Sequence, residues 1–261
     1  IDPFHLEARG EAVVNYNRDC EIFPVVNAMF ELIFGKSPYK SPTEMGVNMA
    51  GNCIIDDEAC REASKQEIIR RYYKCLCEKR RNGTTKDDIC KLELLMKKAE
   101  ITVEDRKVTI VALEREKNEN GNPAMAIELR DGTIVSGGTS ELLGAASSAL
   151  INALKVLAGI DKEVKLIDPK AIDPIQDLKI NYLGSKNPRL HTDEVLTALS
   201  ATAANNEIAM KAMKKLPLLK GCDAHSTVLL SSVDEQIFKK LGIQLTCEPK
   251  YEEDERMYHK N

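Results

Sequence analysis

The stretch Gly221-Cys-Asp-Ala-His-Ser-Thr-Val-Leu-Leu-Ser-Ser-Val-Asp-Glu235, followed by Gly242-Ile-Gln-Leu-Thr-Cys247, decides the fold of this chain. The apolar run at about 226–230 predicts a strand, and the capping box from Ser232 to Glu235 predicts a helix after it. A final strand is predicted at 243–247. Two strands joined by a helix predict a right-handed crossover and a sheet covered by helices.

The segments before this stretch predict a hairpin and more helices. Residues 123–129 and 133–135 flank Asp131-Gly132, which is a strong hairpin signal. We expect a buried helix to open at 137–141 and run to about 158, a short strand at 164–167, and a helix from Asp173-Pro174 to Gly184. Further helices are predicted at 192–204 and 207–215. The order hairpin, helix, strand, helices, strand, helix, strand predicts a three-layer α/β/α domain over residues 121–250.

Residues 1–120 have a different pattern, which predicts a mostly helical subdomain. Apolar residues at helical spacing predict helices at about 19–34, 56–81 and 103–117, and Thr85 is expected to cap a further helix. Prolines and glycines predict a long loop at 35–55. A polar segment at 118–123 marks the predicted domain boundary, and 251–261 is a charged tail. The fold class is therefore α/β (α+β overall), with a helical subdomain first.

Composition excludes several classes of protein. The chain is 43% hydrophobic and 30% charged, as in soluble globular proteins, and residues 1–15 lack the apolar centre of a signal peptide. We therefore expect a cytoplasmic protein with no membrane partner. The net charge of −4 gives no general attraction to nucleic acid, and the basic helix around Tyr72 and Tyr73 is typical of a solvated or docking face. Eight scattered cysteines without a C-x-x-C pair predict no metal site.

Two polar clusters at predicted helix starts are candidates for a binding site. Gly137, Gly138, Thr139 and Ser140 offer backbone N–H groups and hydroxyls for an anion, although a tight turn with a hydroxyl cap needs the same residues. The second cluster contains the anion-binding candidates Lys186 and Arg189 and the candidate general base His191. Thr192 as cap, with Asp193 and Glu194 in the first turn, explains a helix start but leaves those three residues unexplained.

His225 is a second candidate catalytic residue, acting with groups from elsewhere in the chain. A couple between His225 and Ser226 is not expected, because adjacent side chains on a strand point to opposite faces. We predict that one of Gly138, Thr139 or Ser140 shares a cleft with Lys186, Arg189 or His191, beyond the ends of the strands. We expect His225 at the start of its strand, away from that edge if the strands are parallel.

Several stretches spread along the chain resemble an uncharacterised bacterial family, the domain of unknown function 1846. They are Ile1-Asp-Pro-Phe-His-Leu-Glu-Ala8, Val14-Asn-Tyr-Asn-Arg-Asp19, Ser37-Pro-Tyr-Lys-Ser-Pro-Thr43, Met45-Gly-Val-Asn-Met-Ala-Gly51, Ala63-Ser-Lys-Gln-Glu-Ile-Ile-Arg-Arg-Tyr-Tyr73, Leu183-Gly-Ser-Lys-Asn-Pro-Arg-Leu-His-Thr-Asp-Glu194 and Thr246-Cys-Glu-Pro-Lys-Tyr251. The resemblance implies that the chain is the C-terminal half of a longer protein. The missing N-terminal half would then contain a glycine-rich, P-loop-like segment.

The predicted element order is similar to the cytidine-deaminase-like fold. Deaminases of that fold hold zinc with H-x-E and P-C-x-x-C at two helix starts. The corresponding positions here are Gly138-Thr-Ser-Glu141 and either Asp168-Pro169 or Asp173-Pro174, so the zinc ligands are missing. Zinc deamination is therefore not expected.

Two classes of function stay open. The first is the substrate-side half of a nucleotide-dependent enzyme acting on a small anionic metabolite, with ATP or another nucleotide held by the missing half and no cofactor in this chain. The second is a non-catalytic dimerisation or scaffold module. The expected partners are the small anion and the missing half, and a homo-oligomer is compatible with either class.

Overall fold

The computed structural model describes residue 29 and residues 31–35, 57–83 and 86–252. The chain divides into two compact units, Ile1–Arg106 and Lys107–Asn261. The predicted loop at 35–55, apart from Gly35, lies outside the described residues, as do Thr85 and the tail beyond Glu252.

The first unit contains two helices with a shared apolar core. Helix α1 spans Asp57–Asn82 and α2 spans Lys86–Lys98. Ile68, Ile69 and Tyr73 of α1 are buried against Leu92 and Leu95 of α2. The helix predicted at about 56–81 corresponds to α1, so this part of the helical subdomain is confirmed. A 3₁₀ turn at Val103–Asp105 follows.

The second unit is a sheet with helices around it. Its elements in chain order are α3 (Lys107–Asn118), β1 (Ala124–Glu128), β2 (Ile134–Gly138), α4 (Ala145–Ala158), α5 (Pro169–Asp177) with a π-helical turn (Leu178–Tyr182), α6 (Thr192–Ala203), α7 (Glu207–Met213), a 3₁₀ turn (Leu216–Leu219), β3 (Asp223–Ser226), α8 (Ser232–Lys240) and β4 (Gln244–Cys247). A mixed α/β domain after a helical region is thus confirmed.

The four strands found among the described residues form one sheet in the order β2-β1-β3-β4. Strand β1 is antiparallel to both of its neighbours, and β3 is parallel to β4. Strands β2, β3 and β4 therefore run in the same direction and end at one edge. Gly138 and Ser226 pair with the first two residues of β1, and Cys247 pairs with Ser226.

Helices cover both faces of this sheet. Val108 and Ala112 of α3 pack against Ala126 and Ile134. On the other face, the main core joins Met125 and Ile127 to the apolar residues of α4, such as Leu150 and Leu154. Because successive strand residues point to opposite faces, this alternation along β1 places α3 and α4 in separate layers.

The Asp131-Gly132 hairpin is confirmed. Gly132 has a φ of 82°, which a glycine adopts without strain, and Asp131 accepts a hydrogen bond of 3.0 Å from the backbone N–H of Thr133. The strand predicted at 243–247 is also found, as β4.

Four local predictions were wrong. The strand predicted at about 226–230 is found at Asp223–Ser226, because its pairing with β1 and β4 ends at Ser226. No strand forms at 164–167, where a turn closes with the bond from Val164 N–H to the Asp161 carbonyl, so the cytidine-deaminase-like order is not confirmed. Helix α4 begins at Ala145 and not at 137–141, because Gly137 and Gly138 continue β2. Helix α5 begins after Asp168, whose side chain accepts from Lys170 N–H at 2.9 Å, so Asp173 is inside the helix.

Two caps also differ from the prediction by one residue. His191 and not Thr192 is the N-cap of α6, and Ser231 and not Ser232 is the N-cap of α8.

The predicted domain boundary near residue 120 lies one helix after the division at Arg106. Helix α3 belongs to the second unit because it buries its apolar side against the sheet.

Candidate functional site

A small cavity of about 50 Å³ lies at the edge where β2, β3 and β4 end. Ligands of α/β sheets bind at this kind of edge, because the loops and helix starts that follow the strands converge there. Its wall comprises Pro123, Thr139, Gly144, Ala145, Ala146, Ser147, Asn187, Arg189, Leu190, His191, Val228, Leu229, Leu230, Ser231, Asp234 and Glu252.

A histidine–aspartate pair is part of this wall. His191, at the start of α6, approaches Asp234 of α8 with 2.9 Å between Nδ1 and Oδ2. The other oxygen of Asp234 accepts from the backbone N–H and the hydroxyl of Thr192, at 2.9 and 2.8 Å. Ser231 Oγ donates to Oδ2 at 2.7 Å. The carboxylate therefore has hydrogen-bond partners on both oxygens and holds the imidazole in one orientation.

The protonation state of Asp234 follows from its surroundings. Burial raises the pKa of this carboxyl, but the hydrogen bond and charge of His191 and the hydrogen bonds from Thr192 and Ser231 outweigh burial and lower the pKa to about 2. Asp234 is thus ionised at neutral pH and can only accept, so His191 Nδ1 carries the proton of their hydrogen bond. Proton exchange with a ligand would therefore involve the other ring nitrogen, Nε2.

A second network fixes the loop that carries His191. Lys179, on the π-helical turn, is buried and donates to the Arg189 carbonyl and to Glu194 Oε2, both at 2.7 Å. The same Glu194 oxygen accepts from the His191 N–H at 2.7 Å. One lysine therefore holds the backbone on both sides of Leu190, and π turns of this kind are frequent at functional sites.

Arg189 forms an ion pair inside the cavity. Its guanidinium Nη1 lies 2.6 Å from Glu252 Oε1, and the two side chains are 18% and 15% exposed. The backbone N–H of Arg189 donates to Asn187 Oδ1 at 3.0 Å, which fixes the base of the arginine. This cation and His191 are the groups in the wall that favour an anion.

The first turn of α4 also faces the cavity. Gly144 is the N-cap and has no side chain that could cap the N–H groups of Ala145, Ala146 and Ser147. The Ser147 hydroxyl donates to the Leu190 carbonyl at 2.9 Å and so ties this turn to the His191 loop. The partial positive charge at a helix start adds to that of Arg189.

The structure brings together some of the predicted site residues. Thr139, Arg189 and His191 line one cavity, as the sequence-based hypothesis required, whereas Gly137, Gly138, Ser140 and Lys186 are not part of its wall.

The prediction that residues 137–140 start a helix and bind an anion there was wrong about the helix start. Gly137 and Gly138 are strand residues, the N–H and hydroxyl of Thr139 both donate to the Pro123 carbonyl at 3.0 Å, and Ser140 bonds to Leu143. The roles of Thr139, Arg189 and His191 in binding or catalysis stay predictions.

His225 lies near the end of β3 and not at its start, which corrects the expected location. It is fully buried, with Nδ1 2.9 Å from Thr246 Oγ1 and Nε2 3.3 Å from Glu248 Oε1. Because the Thr246 hydroxyl donates to the Ala224 carbonyl, it accepts from His225 Nδ1. His225 is not part of the cavity wall, and its contact with Thr246 joins β3 to β4. Its role in catalysis stays a prediction.

The sequence-based hypotheses missed Asp234, Lys179 and Glu252. The sequence did contain a signal for Asp234. Ser231 and Asp234 fit the S-x-x-D capping pattern as well as Ser232 and Glu235 fit S-x-x-E, so Asp234 could have been predicted beside the cap of α8. Lys179 and Glu252 had no such signal, because their partners are distant in sequence.

Among the described residues no group of three or more His, Cys, Asp or Glu side chains converges as a metal site would require. Across the same residues, none of the helices has the length and apolarity needed to cross a bilayer.

Comparison with known proteins shows the family. Residues 104–258 match the domain of unknown function DUF1846, C-terminal, and residues 1–100 match the domain of unknown function DUF1846, N-terminal. The chain belongs to this family. The resemblance found in the sequence is confirmed, but its restriction to the C-terminal half was partly wrong, because the N-terminal family model matches as well.

Curated relatives from bacteria are similar over nearly all of the chain. UPF0371 protein cu0538 of Corynebacterium urealyticum is 55% identical over 96% of this chain and 50% of its own length. UPF0371 protein stu1377 of Streptococcus thermophilus is 54% identical over 100% of this chain and 52% of its own length. The chain thus spans about half the length of the curated relatives it matches. Their names state no activity.

Proposed function

We propose that the second unit supplies the acid–base and ligand-binding groups of a bacterial enzyme that acts on a small anionic metabolite. The single observation that carries this proposal is the His191–Asp234 pair in the cavity wall. A buried carboxylate that holds one ring nitrogen orients the imidazole and stabilises its protonated form. His191 Nε2 then takes a proton from the bound ligand, or returns one to it.

The other groups of the wall support an anionic ligand. Arg189 contributes a guanidinium and the start of α4 contributes backbone N–H groups, so the negative charge of a ligand would be favoured there. The Ser231 hydroxyl is not a nucleophile in this arrangement, because it donates to Asp234 and accepts from the N–H of the same residue at 3.2 Å. The chemistry is therefore proton transfer by His191 and not attack by a serine.

The cavity volume limits what can enter. The cavity volume is about 50 Å³, and one water molecule needs about 10–15 Å³, so the cavity holds about four waters. This space suits an acid head group and is too small for a nucleoside. A nucleotide-dependent reaction of the proposed enzyme therefore needs a nucleotide site elsewhere in the full-length protein. ATP or a related nucleotide stays part of the proposal on the family resemblance alone.

A scaffold or dimerisation module is the second candidate, and one observation favours it. Leu178, Tyr182 and Leu183 are 50%, 76% and 72% exposed on and beside the π-helical turn. Three large apolar side chains so close together are typical of a docking surface.

Thermal-shift measurements separate the two candidates. The chain and the full-length Streptococcus thermophilus relative are screened against phosphorylated and carboxylated metabolites, with and without ATP and Mg²⁺. We expect at least one metabolite to stabilise both proteins, the shift to disappear in Arg189→Gln, and turnover but not binding to disappear in His191→Gln. If no metabolite stabilises either protein and Tyr182→Ser changes its state of association, the scaffold is correct.

A further inference from the structure

The ion pair between Arg189 and Glu252 places a carboxylate of the chain itself inside the candidate site. Both residues belong to the wall that contains His191 and Asp234, and the contact of 2.6 Å is short even for a charge-assisted hydrogen bond. We propose that Arg189 is the subsite for an acid group of the ligand, and that Glu252 occupies this subsite until the ligand replaces it. This inference rests on the proposed function, because it specifies which ligand enters the same cavity.

The two members of the pair are held very differently. Arg189 is fixed at both ends of its own backbone, since its N–H donates to Asn187 and its carbonyl accepts from Lys179. Glu252 lies on the segment that follows β4. Lys250 holds this segment: its carbonyl accepts from Leu229 N–H and its ammonium pairs with Glu116, each at 2.8 Å. The arginine is therefore a preorganised receptor, whereas the glutamate is carried by the segment that follows the last strand, two residues after Lys250.

Charge balance determines which ligand can replace Glu252. The wall contains Arg189 with Glu252 and His191 with ionised Asp234, so the guanidinium and the imidazole each already have a carboxylate beside them. A neutral ligand that displaced Glu252 would leave a largely buried guanidinium without that carboxylate, which costs free energy. A ligand with its own carboxylate or phosphate replaces one anion with another. The subsite thus selects acids, and the planar guanidinium binds either group through two parallel hydrogen bonds.

The geometry also specifies the ligand more closely. Since the cavity accommodates an acid head group and His191 belongs to the same wall, the group that exchanges a proton with Nε2 must be near that acid group. The ligand class is therefore a small carboxylic acid or phosphate ester with an ionisable or protonated centre close to its acid group.

The test is titration calorimetry of the whole chain at low ionic strength with inorganic phosphate and, separately, with acetate. Glu252→Gln removes the competing charge with little change in shape, and Glu252→Ala is a second variant if the amide perturbs folding. Glu163→Gln is the matched control, because this residue is 83% exposed and absent from the cavity wall. We expect Glu252→Gln to bind one of the two probes at least tenfold more tightly than the wild type. The control should stay within twofold, and Arg189→Gln should weaken binding tenfold or abolish it. The preferred probe shows whether the natural acid group is a phosphate or a carboxylate.

The possible failures of this test are distinguishable. If Arg189→Gln weakens binding but Glu252→Gln does not strengthen it, Glu252 does not compete, and this inference fails while the proposed function stands. If Glu252→Gln strengthens binding equally in the absence of Arg189, the acid subsite is elsewhere and the inference fails. If no variant binds either probe, both the inference and the anionic ligand of the proposed function are wrong.

Discussion

The carboxylate of Asp234 joins two helix starts that are far apart in sequence. It accepts from His191 and Thr192 at the start of α6 and from Ser231 at the start of α8. The same side chain thus orients the candidate base and holds two elements together. A single substitution at this position should therefore affect both the stability of the unit and the orientation of the imidazole.

We expect Asp234→Asn to reduce the free energy of unfolding by about 2 kcal/mol at neutral pH. This magnitude follows from the difference between the ordinary pKa of 3.8 and the folded value of about 2, at about 1.4 kcal/mol per pKa unit. A depressed folded pKa stabilises the protein fully above the unfolded value, and this contribution is lost as the pH falls from about 4 to about 2. Urea unfolding at several pH values should therefore show wild type and variant converging in acid. Asp173→Asn, on an exposed face of α5, is the control, and a difference independent of pH would contradict the assignment.

At the scale of the elements, Gly137 has a different role from the one predicted. The glycine pair was expected to open a helix and bind an anion. In the structure a Cβ on Gly137 would overlap the backbone of α4, at 2.6 Å from Ser148 C and 2.7 Å from Ala149 Cα, so the missing side chain allows β2 and α4 to pack closely. The three atoms nearest to a Cβ on Gly138 all belong to the carboxylate of Glu119, at the far end of a flexible side chain.

The same substitution at the two glycines should therefore reduce stability by very different amounts. Gly137→Ala should destabilise the protein by about 3 kcal/mol, because neither the strand nor the helix backbone can move away cheaply. Gly138→Ala should cost less than about 1 kcal/mol, since it disturbs only the partly exposed Arg115–Glu119 pair. Chemical denaturation of both variants measures the difference. Equal stabilities would mean that α4 does not rest on β2 at Gly137.

Other elements show why the sequence predicted the sheet better than the site. The hairpin at Asp131-Gly132 and strand β4 depend on local signals, and both were predicted. Asp168-Pro169 and Asp173-Pro174 are equally good helix starts locally, so only packing decides between them. The segment Val164-Lys-Leu-Ile167 resembles a short strand, but a strand needs a neighbour, and Leu166 and Ile167 are buried in the main core instead. His191 was found as a candidate because no helix start required it, whereas Asp234 was assigned only to a helix turn.

At the scale of the whole molecule, the cavity is formed where three strands running in the same direction end. Most residues that line it follow β2, β3 and β4 or lie at the start of α4, α6 and α8, and Pro123 precedes β1. The sheet must therefore be complete for the cavity to exist. Helix α3 covers the face of the sheet opposite α4. A domain boundary placed after α3 would therefore expose that face of the sheet to water.

The boundary is tested by two truncations, one starting at residue 107 and one at residue 121, both ending at residue 261. The longer protein keeps α3, whose Val108 and Ala112 are fully buried, together with Ala126 beneath them. The shorter protein follows the sequence-based boundary and exposes this apolar face to water. A fully buried valine contributes about 1.5–3 kcal/mol, the two alanines add a smaller amount, and a domain is stable by only about 5–15 kcal/mol. Loss of the helix should therefore remove a large part of the stability. We expect the longer protein to unfold cooperatively in urea and the shorter one to aggregate or to lack dispersed amide resonances. A shorter protein that folds with unchanged stability would place α3 outside the domain, as the polar segment at 118–123 suggested.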